Sequence, residues 1–168
     1  MITVILDNVR SLYNVGAVMR ACDGAGVYRL VACGLTPFPS LGAAGAHLRG
    51  PVAGRATREL RKTALAAMDS VQVEFAATAA QAGTRLRGEG ALIVAVERVP
   101  GAPLLWDAAE LGAPDLALVF GHEVEGITSD VLALADAVVA LPMRGAGASL
   151  NVAVAAGIVL YEVLRRRS

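Results

Sequence analysis

Six short, largely apolar runs, set apart by stretches of helical character, constrain this chain more than any other feature. The runs occupy residues 3–6, 29–33, 71–75, 92–96, 116–120 and 137–141. They are dominated by valine, leucine, isoleucine and alanine, as strands buried on both faces should be. Between them, residues 15–24, 57–67, 78–86, 129–135 and 150–166 read as helices. This alternation predicts an α/β fold, a mostly parallel sheet flanked by helices on both faces. In such sheets, ligands bind outside the carboxyl ends of the strands. Hydrophobic residues make up 55% of the chain and aromatics only 4%, so the core must be aliphatic. The 168 residues suit one domain, and no internal repeat, low-complexity tract or boundary divides them. The longest expected loop is 34–54, and long loops in compact domains tend to be functional.

Charge narrows the choice of partner. There are 15 basic and 15 acidic residues, so no net field draws the chain onto nucleic acid. Locally, Arg49, Arg55, Arg58, Arg61 and Lys62 crowd one region, while Arg165, Arg166 and Arg167 suit the negative end of a helix dipole. The two isolated cysteines, Cys22 and Cys33, make neither a metal site nor a disulfide framework, so no metal is expected. No apolar run reaches the roughly 18 residues of a membrane span. The first run begins at once, without a basic leader. The expectation is a soluble, cytoplasmic protein that meets no membrane.

Polar chemistry gathers just after three of the strands. The first such segment is Asn14-Val15-Gly16-Ala17-Val18-Met19-Arg20. Asn14 suits a helix N-cap. Arg20 stands in an otherwise apolar helix with Gly16 and Gly24 four residues to either side, which leaves space for a substrate around the guanidinium. The plainer alternative is an arginine that reaches to water or pairs with Asp23. The second segment is Gly121-His122-Glu123-Val124-Glu125-Gly126. Gly121 lets a ligand rest against the main chain, and Glu123 is placed to bind a cation or orient a loop. His122, lone among acids, is given no role. The third runs from Leu141-Pro142-Met143 through two glycines to Ser149-Leu150-Asn151. Proline ends the strand, and Ser149 or Asn151 caps the final helix. Ala153, Ala155, Ala156 and Gly157 leave one side of that helix slim enough for close packing against a partner subunit.

Together the segments resemble the SpoU-type branch of the SPOUT superfamily, the S-adenosylmethionine-dependent RNA 2'-O-ribose methyltransferases. The N-x-G-x-x-x-R motif is Asn14, Gly16 and Arg20, and the G-x-E-x-x-G motif is Gly121, Glu123 and Gly126. The third motif is Pro142-Met143, then Ser149-Leu150-Asn151-Val152, then Tyr161-Glu162. The likeness covers nearly the whole chain and identifies residues 1–168 as a minimal, single-domain member. It implies a C-terminal deep trefoil knot, otherwise nearly absent from proteins, and a homodimer. S-adenosyl-L-methionine would be held at Val96, Gly121, Leu141, Met143, Ser149 and Leu150, mostly by backbone groups.

The implied reacting group is a ribose 2'-hydroxyl, so the partner is RNA and not DNA, with tRNA favoured over rRNA. Arg49, Arg55, Arg58, Arg61 and Lys62 are the candidate RNA contacts, together with Arg20. Arg20 also matches the family's catalytic position. A guanidinium does not readily give up its proton. Arg20 is therefore expected to orient an RNA phosphate and stabilise the developing oxyanion, while a phosphate oxygen or water takes the proton. Asn14, Ser149 and Asn151 would position ribose or cofactor, and Glu123 would hold Arg20 or the loop. Two competing readings are a non-catalytic RNA-binding protein on the same fold and a base-directed methyltransferase. A dinucleotide-dependent oxidoreductase is disfavoured, since no G-x-G-x-x-G follows the first strand.

Overall fold

A computed structural model describes residues 1–39 and 51–168 of the chain. Six strands form one sheet: β1 (Ile2–Asp7), β2 (Arg29–Cys33), β3 (Gln72–Ala76), β4 (Leu92–Val96), β5 (Leu116–Phe120) and β6 (Ala137–Val139). Their order is β3-β2-β1-β5-β4-β6, and every pairing is parallel. Parallel neighbours need crossover connections. The helices are α1 (Leu12–Gly24), α2 (Pro51–Ala64), α3 (Ala67–Ser70), α4 (Ala79–Gly88), α5 (Ser129–Leu134) and α6 (Val152–Arg167). The chain runs outward from β1 to β3, crosses to β4, steps back to β5 beside β1, and finishes with β6 outside β4. Its direction across the sheet therefore switches between β1 and β5, which favours a crevice at the strand ends there.

Alternate side chains point to opposite faces of the sheet. Val4, Leu6, Leu30, Ala32, Val94, Leu118 and Phe120 meet Val15, Val18 and Met19 of α1, Leu60 of α2, and Ala156, Val159 and Leu160 of α6. On the other face, Ile5, Val31, Ile93, Ala95, Ala117 and Val119 lie under Ala79, Ala82 and Leu86 of α4 and Val131 of α5. Both faces are covered. That is why these strands read as unbroken apolar runs.

Several boundaries differ from the sequence expectation. The α1 cap is Ser11, whose hydroxyl accepts from the Asn14 N–H at 3.3 Å, so Asn14 stands in the first turn instead. Helix α2 begins at Pro51, since proline suits a first helical position, so 51–54 are helical where a 34–54 loop is expected, and 40–50 lie outside the described residues. It ends at Ala64 because Leu65 takes a left-handed φ of 52°, and the four-residue α3 follows. Strand β6 stops at Val139, and Ala140 forms an isolated bridge with Leu104. Helix α6 is capped by Asn151, not Ser149.

The terminal arginines do more than face a helix dipole. Arg165 and Arg166 donate to the Glu162 carboxylate at 2.7–2.8 Å. Arg166 also donates to the carbonyls of Leu105 and Trp106 at 2.9 and 2.8 Å, and Arg167 to that of Ala113. These bonds fasten α6 to the connection between β4 and β5. The arginine hydrogen bonds hold the Glu162 carboxyl down to about 2. Among the described residues, no helix is long and apolar enough to cross a membrane.

Candidate active site

The carboxyl ends of β4, β5 and β6 open into a cavity of about 390 Å³, a size suited to a small ligand. Val96 closes β4, Gly121 follows β5, and Leu141, Met143, Ser149 and Leu150 come from the loop between β6 and α6. All six line the cavity. Gly121 owes its identity to its own loop, because a Cβ there would strike the backbone of Gly126 and Ile127. Gly126 turns the chain at a φ of 72°, where a side chain would strain the backbone and meet the Glu97 carboxylate.

Three side chains join the three motifs. Glu123 accepts from Nδ2 of Asn14 at 2.9 Å and from the backbone N–H groups of Arg10 and Ser11 at 3.2 Å. Oδ1 of Asn14 in turn accepts from Nδ2 of Asn151 at 3.0 Å. Oδ1 of Asn151 caps α6 by accepting from the N–H groups of Ala153 and Val154 at 2.9 and 3.4 Å. Both ends of this relay fix its direction. An ionised carboxylate only accepts, and a helix N-terminus only donates, so each amide has one workable orientation. Asn14 is only 6% exposed, which makes an unmade bond there costly. Partial burial raises the Glu123 carboxyl, but the hydrogen bonds from Asn14, Arg10 and Ser11 outweigh it and hold the group below its ordinary range. Glu123 therefore holds Asn14 and the turn at 10–11; it does not hold Arg20.

Arg20 is exposed on α1 and has no hydrogen-bond or ion-pair partner among the described residues. Asp23, its alternative partner, instead accepts from the Ser70 hydroxyl. The neighbouring glycines do not clear space for a substrate. A Cβ on Gly16 would overlap Thr63 of α2, and one on Gly24 would lie 2.8 Å from the Tyr161 hydroxyl of α6. They mark where the adjoining helices touch α1. Ser149 is exposed at the cavity wall, and its hydroxyl has no partner among the described residues. On α2, Arg58, Arg61 and Lys62 are exposed, and Lys62 pairs with Glu59 at 2.8 Å. Arg49 and the side chain of Arg55 lie outside the described residues. Helix α2 packs against α1, so this basic face neighbours the helix that carries Arg20.

Four further residues shape the cavity loops: Glu97, Arg98 and Asp7, which stand in none of the sequence motifs, and His122, which the sequence alone leaves without a role. Glu97 and Arg98 follow β4 and line the cavity. Glu97 accepts from the N–H groups of Ile127 and Arg98 at 2.9 and 2.8 Å. Nδ1 of His122 accepts from the N–H groups of Val124 and Glu125, each at 3.1 Å, and shapes the tip of the 121–127 loop. Buried Asp7 anchors the far side of that loop, accepting from the Thr128 N–H and hydroxyl at 2.9 and 2.8 Å. The only cue to Glu97 and Arg98 was an ionisable pair directly after a buried strand. Among the described residues, no group of three or more His, Cys, Asp or Glu is placed to hold a metal.

Comparison with known proteins supplies relatives for this arrangement. Residues 38–161 match the SpoU rRNA Methylase family. The chain is 31% identical to the tRNA (guanosine(18)-2'-O)-methyltransferase of Escherichia coli (strain K12), over 99% of this chain and 64% of that protein. It is also 31% identical to the 23S rRNA (guanosine-2'-O-)-methyltransferase RlmB of the same strain, over 98% of this chain and 60% of the relative. It thus spans less than two thirds of the length of either. Among solved structures, the AdoMet-bound rRNA methyltransferase from Sinorhizobium meliloti matches with a TM-score of 0.78, over 98% of this chain and 56% of that one. At 24% identity this last likeness is one of fold.

Proposed function

The chain belongs to the SpoU rRNA methylase family, and from that membership we propose that it methylates a ribose 2'-hydroxyl of RNA with S-adenosyl-L-methionine as donor. The observation that carries the reading is the Glu123–Asn14–Asn151 relay, which gathers all three motifs beside one cavity at the strand ends. The cavity suits the cofactor. Val96, Gly121, Leu141 and Leu150 give backbone and aliphatic surface for a purine and its ribose, and the Glu97 and Glu123 carboxylates favour a cation. When bound, S-adenosyl-L-methionine supplies an electrophilic methyl group on a sulfonium. Arg20 holds an RNA phosphate and offsets the negative charge that grows on O2' as the hydroxyl proton leaves to a phosphate oxygen or water. Asn14 and Asn151 spend their amides on one another and on their neighbours, so they hold the frame. Ser149 keeps a hydroxyl for ribose or cofactor.

The rest of the reading follows from the same premise. Residues 1–168 act as one methyltransferase domain. The knot accompanies the fold, and the fastening of α6 to the β4–β5 connection through Arg166 and Arg167 fits a C-terminal segment passed through that connection. Exposed Tyr13 on α1, and Val154 and Tyr161 on α6, support a homodimer through those helices. Free, buried Cys22 and Cys33 suit the reducing cytoplasm. The relatives named above act on tRNA and on rRNA at equal identity, so likeness does not choose between them. We favour tRNA, because a compact folded RNA suits an enzyme whose basic surface centres on α2.

The test is transfer of radiolabelled methyl from S-adenosylmethionine to total tRNA and total rRNA, followed by nucleoside analysis. A 2'-O-methylated nucleoside from tRNA is the expected product. A labelled base would overturn the ribose assignment, and label confined to rRNA would overturn the choice of RNA. No cofactor binding at all would favour a non-catalytic RNA-binding protein.

A further inference from the structure

The loop between β6 and α6 supplies much of the cavity wall, through Leu141, Met143, Ala148, Ser149 and Leu150; Leu141 packs on the core, but few hydrogen bonds hold the rest. Among the described residues a single hydrogen bond reaches 141–150: Nη1 of Arg98 donates to the Ala148 carbonyl at 2.9 Å. Its neighbour Glu97 pins the opposite wall through the Ile127 N–H. Two consecutive residues at the end of β4 thus hold both cavity loops. Residues 144–150 are exposed, and a segment so little bonded has many conformations to lose when a ligand orders it.

We propose that Arg98 is a positioning residue for the cofactor, whose guanidinium straps the 141–150 loop in the conformation that walls the cavity. The inference rests on the cofactor reading above. A charged donor bonds a carbonyl more strongly than a neutral one does. A loop ordered beforehand also spares the ligand the cost of selecting its competent state. Lysine at this position keeps the charge and a donor but loses the planar fork, so it restores only part of the effect.

The experiment compares wild type, Arg98→Ala and Arg98→Lys in three measurements. These are the calorimetric Kd for S-adenosylhomocysteine, KM and kcat for methyl transfer, and the rate of trypsin cleavage after Arg144 in the free protein. Arg98→Ala is expected to weaken S-adenosylhomocysteine about tenfold. It should raise KM for S-adenosylmethionine by a similar factor, lower kcat far less, and speed cleavage after Arg144. Arg98→Lys should recover part of each change. Unaltered affinity in Arg98→Ala overturns the strap. Weaker affinity with unaltered cleavage overturns it too, because the guanidinium would then act on the ligand directly. A wild-type protein that binds no S-adenosylhomocysteine overturns the cofactor reading itself, a result distinct from either.

Discussion

The Asn14 amide donates to Glu123 and accepts from Asn151, two opposite bonds that its paired NH2 and C=O groups make at once. Aspartate has the same shape but cannot donate, and it would set a second carboxylate against Glu123. Asn14→Asp is therefore expected to be worse than Asn14→Ala. Removing the amide leaves unmade bonds worth about 1–3 kcal/mol, whereas an uncompensated buried charge costs about 3–5 kcal/mol. Thermal melts and S-adenosylhomocysteine titration of both variants check this, and equal losses would mean that the relay is only packing. Arg20 makes the opposite case, a side chain with no partner in its own chain among the described residues. Arg20→Ala should cut methyl transfer by about 100-fold or more, the scale of losing one donor to a developing oxyanion, while cofactor affinity stays largely intact. Collapse of cofactor binding in that variant would make Arg20 part of the pocket.

Helix α6 shows how an element is held by chemistry that its own sequence only half reveals. The Glu162 carboxyl, held to about 2 by Arg165 and Arg166, lies below the value of roughly 4.3 that it has in an unfolded chain. A group depressed in the folded state adds stability above its unfolded value and loses it as pH falls toward the folded one. Glu162→Gln should thus lower Tm at neutral pH, and the gap to wild type should narrow between about pH 5 and pH 2. A gap that stays constant over that range would assign the effect to packing. Three strands, β2, β4 and β5, begin and end where sequence placed them, because burial on both faces leaves largely apolar runs, with Arg29 alone charged at the start of β2. The break after α2 was not legible. Leu65 turns left-handed among alanines, with neither glycine nor proline to announce it. Gly16 and Gly24 looked like open space around Arg20, but the partners that fill it, Thr63 and Tyr161, lie far along the chain. Val96 aside, which only the family resemblance implies, the cavity positions were legible because each sits within or beside a local motif. Glu97 and Arg98 were not, since they bond residues 30 and 50 positions away.

At the scale of the whole molecule, the proposed homodimer can be tested on the exposed faces of α1 and α6. Tyr13 is 70% exposed on α1, and Val154 and Tyr161 are 51% and 53% exposed on α6, which packs against α1. Exposed apolar groups on two helices packed together are candidates for an interaction site. Val154, Gly157 and Tyr161 follow helical spacing along one face, and the glycine permits close approach by another helix. Tyr13 and Arg20 lie seven residues apart, on one face of α1. A two-fold dimer through these helices would carry Arg20 of each protomer toward its partner, and the likeness to the SpoU-type branch implies sites completed across such an interface. Light scattering should find wild type as a dimer and Val154→Glu as a monomer, since burying that charge unpaired in an apolar interface is costly. Sharing of the site is tested by mixing two inactive proteins. One is Arg20→Ala; the other is Gly121→Ala, whose added methyl would displace the Gly126 and Ile127 backbone at the cavity wall. In a shared site, each mixed dimer pairs one sound cavity with one sound arginine. With random exchange, half of the dimers are mixed and one of their two sites works, so roughly a quarter of wild-type activity should return. No recovery, with mixed dimers demonstrated by mass, would confine each site to a single protomer.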